Sequence, residues 1–180
     1  MLAFRTLVRR ELSSHFLSPA GYVVIATVLL LLGFSFVDVL SKLNGVPIDG
    51  PFTEIFYVTV YFWLILLLTT PVITMRTFAL EKFTGTYETL MTTPVGDITV
   101  VLAKFFGALI FYAITWFPLL GYMLILQQYV TATSPALDPY AVVTTYFGIL
   151  LVGSLFVSLG CFASAVTRNQ IIAAAFSRSK

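Results

Sequence analysis

The chain has 180 residues, 59% of them hydrophobic and only 10% charged, with a net charge of +2 and a mean hydropathy of +0.98. Soluble domains carry roughly 25% charged residues, so this composition excludes an ordinary water-facing domain and assigns the chain to the membrane class. The small net charge gives no reason to expect a nucleic-acid partner, and the single cysteine, Cys161, excludes an internal disulfide and a CxxC metal site.

Residues 1–18 form the first element. Leu2, Leu7, Val8, Leu12 and Phe16 recur at helical spacing, while Arg5, Arg9, Ser13 and His15 take other positions. This pattern predicts a short interfacial helix with its cations at the level of lipid phosphates; a plain basic flank that sets topology is the alternative. The apolar core that follows is longer than the roughly 7–15 residues of a signal peptide, and no A-x-A-like cleavage site comes after it. Arg9-Arg10 is therefore read as a basic flank. His15 is the only histidine and has no evident partner in the sequence.

Four stretches then lack Asp, Glu, Lys, Arg and His: those between His15 and Asp38, Glu54 and Arg76, Lys104 and Asp138, and Asp138 and Arg168. Each exceeds the roughly 20 residues that a helix needs to cross about 30 Å of hydrocarbon. The backbone in lipid must satisfy its own hydrogen bonds, and no polar–apolar alternation suggests a β-barrel, so each span is expected to be a helix. The predicted spans are 20–37, 55–73, 105–126 and 141–166. Trp63 and Trp116 fall near mid-span and are expected to pack between helices; Pro118 is expected to kink the third span.

Arg5, Arg9 and Arg10 precede the first span, Arg76, Lys82 and Lys104 follow the second, and Arg168 follows the fourth. The opposite loops carry only Lys42. By the positive-inside rule the N-terminus is cytoplasmic.

The segment 75–94, between the second and third spans, is too polar to span. On a helix, Ala79, Leu80, Phe83, Tyr87, Leu90 and Met91 fall on one side and Glu81, Thr84, Gly85 and Glu88 on the other. Arg76 and Phe78 fit this division poorly, and Pro94 ends the helix. An acidic face offered to the cytoplasm suits a docking element; a solvated amphipathic connection is the alternative. Gly85 would permit close approach of a partner or a break between two short helices.

In the fourth span Gly153, Ser154, Ser158, Cys161 and Ala165 make a near-continuous small-residue face, with Gly160 and Ser164 as a small-xxx-small pair beside it. Such faces let helices approach closely in lipid, either within the chain or between two copies. Cys161 reads as a small packing residue. Beyond this span, 171–176 begins another apolar run that stops at Ser177-Arg178-Ser179-Lys180, which reads as the start of a fifth span in a truncated chain. No G-x-x-x-x-G-K-[ST] or H-E-x-x-H occurs. No catalytic, cofactor or metal residue is assigned, and the chain is not expected to be an enzyme. Ion-coupled carriers usually place an ionisable residue at mid-span, and none is found here.

These residues together resemble the ABC-2 type permeases of ATP-binding-cassette transporters, in the gliding-motility-like and nitrous-oxide-reductase-maturation-like branch. The likeness rests on Arg10-Glu11-Leu12, Phe16, Pro19 and Tyr22; on Pro71 through Arg76 followed by Glu81, Gly85-Thr86, Glu88-Thr89-Leu90 and Pro94; on Lys104, Phe105 and Gly107; and on Tyr146, Gly148, Gly160, Ser164 and Thr167-Arg168-Asn169-Gln170. Tyr87 departs from the aliphatic residue expected there. The resemblance implies an all-α, polytopic transmembrane bundle of six spans, a second permease chain (identical or related), and a separate ATPase subunit that binds ATP and Mg. The 75–94 segment would be the coupling helix, with Arg76, Glu81, Gly85, Thr86 and Glu88 at the ATPase contact. The expected place is a prokaryotic cytoplasmic membrane, the expected role export driven by ATP hydrolysis elsewhere, and the expected partners the ATPase, the second permease and membrane lipid. A membrane scaffold that moves no substrate is the alternative.

Overall fold

A computed structural model describes residues 2–43, 56–77, 96–129 and 139–166. They form five helices: α1 (Leu2–Phe16), α2 (Pro19–Leu43), α3 (Val60–Thr77), α4 (Asp97–Tyr129) and α5 (Pro139–Val166). No strand occurs among the described residues. The expectation of an all-helical chain holds for them.

Helix starts follow local chemistry. Ser18 caps α2: its hydroxyl accepts the Gly21 N–H at 3.0 Å and donates to the His15 carbonyl at 3.1 Å. Pro19 then occupies the first helical position, where its missing N–H has no cost. Gly96 plays the corresponding part for α4, its carbonyl accepting from Thr99 N at 2.9 Å. α5 opens on Pro139.

Three helical segments are long and apolar enough to cross a membrane: Pro19–Ser41, Ile98–Ile125 and Tyr140–Val166. A fourth apolar segment, Val60–Met75, is shorter. It occupies most of the predicted second span, and residues 56–58 before it are also helical, with a bend at Thr59. The predicted fifth span, at 171–180, lies outside the described residues.

α4 departs most from expectation, because it begins at Asp97 rather than near Phe105. A charge that faced water would make Lys104 the boundary of the span. It instead lies inside the helix, 1% exposed, because it has an ionic partner within the protein. α4 continues through Pro118 to Tyr129.

The core forms where α2, α3, α4 and α5 meet. Val28 and Leu32 of α2 share one buried cluster with Phe62, Ile65 and Leu66 of α3, Phe111 and Trp116 of α4, and Ile149 and Val157 of α5. Aromatic edges bind its centre: Phe62 and Trp116 have ring centroids 5.8 Å apart, and Tyr112 and Trp116 are 6.0 Å apart. Trp116 is fully buried as expected, but Trp63 is 49% exposed and packs outward. The outer faces are apolar too, with Leu30, Phe34, Leu67, Phe117, Leu151 and Phe162 all exposed. A helix that is apolar inside and out suits lipid, where the outer face loses nothing by exposure.

α3 contains Pro71, which cannot donate a backbone hydrogen bond. Its threonines add bonds of their own. Thr69 Oγ1 donates to Ile65 O at 2.7 Å, Thr70 Oγ1 to Leu66 O at 2.6 Å and Thr74 Oγ1 to Thr70 O at 2.8 Å. This back-bonding satisfies buried hydroxyls on an apolar helix.

Candidate functional site

The predicted small-residue face of α5 is divided by the fold. A β-carbon at Gly153 would collide with the ring of Tyr112, and one at Gly160 would collide with the side chain of Thr74. Ser164 and Cys161 are buried, and Cys161 Sγ lies 4.0 Å from Thr77 Oγ1. Gly153, Gly160 and Cys161 thereby seat α5 on α4 and α3 within one chain. Ser154 is half-buried and Ser158 exposed, and each hydroxyl donates 2.8 Å to a carbonyl of its own helix, Leu151 O and Leu155 O respectively.

α1 does more than present an apolar stripe. Phe4, Leu7, Val8, Leu12 and Phe16 are half-buried, and Arg5, Arg9, Arg10 and Ser13 are exposed. The helix packs chiefly on α4. Phe4 meets Phe106 edge to face at 6.1 Å and Phe16 meets Phe111 at 5.1 Å. Two polar residues share the inward side: Glu11 and His15 are 6% and 5% exposed. His15, grouped with the polar positions from sequence, is thus buried. Its Nδ1 lies 2.8 Å from Glu11 O. A carbonyl only accepts, so Nδ1 carries the proton of this bond. The ring also tilts against Phe111 at a centroid distance of 5.2 Å.

Glu11 is the pivot of the arrangement. Its Oε1 accepts from Lys104 Nζ at 3.0 Å, with the two side chains 8% and 1% exposed. The same ammonium donates to the carbonyl of Thr77 at 2.9 Å. Thr77 is the last residue of α3, so its carbonyl is among those no intrahelical N–H reaches, and it lies at the negative end of the helix dipole. Lys104 thereby joins α1, the end of α3 and the first turns of α4 around a single charge. Removing Lys104 would leave the Glu11 carboxylate buried without this donor, at a cost of about 3–5 kcal/mol.

No family model matches the chain, and no curated protein or solved structure matches it significantly.

The ion pair stands at the root of the predicted coupling segment. α3 ends at Thr77 and α4 starts at Asp97. Arg76 belongs to the last turn of α3. Glu81, Gly85, Thr86 and Glu88 lie outside the described residues. Among the described residues no group of three or more His, Cys, Asp or Glu side chains converges as a metal site would require. The junction is suited to holding helices in place, since its ammonium is already committed to a carboxylate and a carbonyl.

Sequence reasoning used Glu11 and Lys104 only as motif and boundary. A signal for their burial was nonetheless present. Phe4, Val8, Glu11 and His15 fall at i, i+4, i+7 and i+11, which is one stripe of a helix, and Lys104 interrupts the otherwise apolar run from Val100 to Phe106. One acid and one base, each misplaced in an apolar pattern, are natural partners.

Proposed function

We propose that this chain is the membrane-spanning permease subunit of an ATP-binding-cassette export pump, coupling ATP hydrolysis by a separate subunit to substrate movement across the cytoplasmic membrane. On this reading α2, α3, α4 and α5 are four spans, with α3 extended by the helical residues 56–58, and the N-terminus is cytoplasmic. Two permeases and two ATPases make the pump. ATP binding closes the ATPases, the 75–94 segment is pulled, and the helices tilt to open a path. This chain supplies path and lever, while ATP and Mg stay on the partner.

The observation that carries the reading is the junction at Lys104. A segment that receives force needs its root fastened to the membrane helices, and Thr77 at that root is held to both α1 and α4. The apolar outer faces of α2, α4 and α5 and the resemblance of the 75–94 motif to ABC-2 coupling regions agree with it.

Co-purification in mild detergent tests the proposal. A stoichiometric P-loop protein should accompany the tagged chain, and Glu81→Lys or Glu88→Lys should reduce its recovery. Unchanged recovery in both variants would sink the docking role of the segment. ATPase activity that is equal with and without the permease would favour a scaffold that moves no substrate.

A further inference from the structure

α1 packs along α4 and meets α2 at the Ser18 corner, whereas a charged bridge from Glu11 through Lys104 to the Thr77 carbonyl ties it to the end of α3. We propose that Lys104 makes α1, the C-terminal end of α3 and the N-terminal part of α4 one mechanical unit, so that any displacement of the 78–95 segment at its Thr77 root carries α1 with it. The inference concerns the helices alone and holds whatever acts on that segment.

The chemistry makes the unit stiff. Both acceptors share one ammonium that is 1% exposed, at 3.0 and 2.9 Å. Drawing the ammonium from Glu11 leaves an unpaired carboxylate, and drawing it from Thr77 leaves a helix-end carbonyl without a donor, each in apolar surroundings. The Gly107 surface holds the backbone of α1 close enough for the short Glu11 side chain to reach, since Glu11 Cβ occupies the place of a side chain there. The end of α3 also meets α5, through Gly160 beside Thr74 and Cys161 beside Thr77, contacts that carry no charge. α1 therefore follows Thr77 through the charged bridge.

Spin-label distances on the full chain in lipid nanodiscs test this, in a Cys161→Ala background. One label pair joins α1 to α3 (Ser13→Cys with Met75→Cys) and another joins α1 to α4 (Ser13→Cys with Leu102→Cys); all three sites are exposed. Without further changes both distance distributions are narrow. Lys104→Met should widen the α1–α3 distribution roughly twofold as the unit loosens. The charge swap Glu11→Lys with Lys104→Glu should restore the α1–α4 distance but leave the α1–α3 distribution wide, because a carboxylate cannot donate to the Thr77 carbonyl. Should Lys104→Met fail to fold, Glu11→Gln carries the test, with widening of both pairs expected. An α1–α3 distribution that stays narrow in the folded variant overturns the proposal. The measurement needs neither an ATPase nor a cargo, so its outcome is independent of the co-purification.

Discussion

Gly107 of α4 lies directly beneath Glu11 of α1, where an added β-carbon would stand 2.8 Å from Glu11 Cβ. The atom met is the first carbon of the side chain, which cannot swing aside as a flexible tip would, so the helices themselves must separate. Gly107→Ala should destabilise the protein by about 1–3 kcal/mol through overpacking and lengthen the Glu11–Lys104 contact. Thermal unfolding in detergent measures it. A midpoint equal to that of the parent would mean that α1 is not seated on α4 as described.

The ion pair should show strong coupling in a double-mutant cycle. Glu11→Leu and Lys104→Met each break a buried ion pair from one side and should each cost about 3–5 kcal/mol. The double variant leaves no charge and should be less destabilised than the sum of the two. The Thr77 carbonyl still loses its donor, so recovery is partial. Additive effects would show that the two groups do not interact.

On α5, two neighbouring small residues should behave oppositely. Gly160→Val drives a side chain into Thr74 and should weaken the α3–α5 contact by at least about 1 kcal/mol. Ser158→Leu adds apolar area on an exposed position and should change stability by less than about 0.5 kcal/mol. Unfolding midpoints of the two variants compare them directly; a larger loss at Ser158 would place the inward face of α5 elsewhere.

Topology is open to cysteine labelling from one side of a sealed vesicle, in the Cys161→Ala background. On the proposed topology, with α2, α3, α4 and α5 each crossing, Arg5→Cys and Gly96→Cys lie on one side and Tyr140→Cys on the other. All three positions are exposed. An impermeant thiol reagent added outside right-side-out vesicles should react with Tyr140→Cys alone. Reaction of Arg5→Cys and Tyr140→Cys from the same side would remove one crossing, with the short α3 the first to doubt.

Much of this architecture was legible in the residues. Long runs without a charge demanded helices, because hydrocarbon offers the backbone no other partner. The amphipathic spacing of Leu7, Val8, Leu12 and Phe16 announced α1. The same reasoning misjudged Lys104, and it placed His15 on the polar side of its helix. Both errors share one cause: a charge or an imidazole was assumed to seek water, and each found a protein partner.

Sequence by itself determined that the chain is apolar and helical, and roughly where its apolar helices lie, since those properties depend on local composition and backbone hydrogen bonding. Only the tertiary structure decided which small residues of α5 face Tyr112 and Thr74, and that Glu11 meets Lys104 across 93 positions of chain. Helix rotation and long-range pairing are set by packing between elements distant in sequence. A lone acid and a lone base lower their common cost of burial only once the fold has brought them to within 3.0 Å.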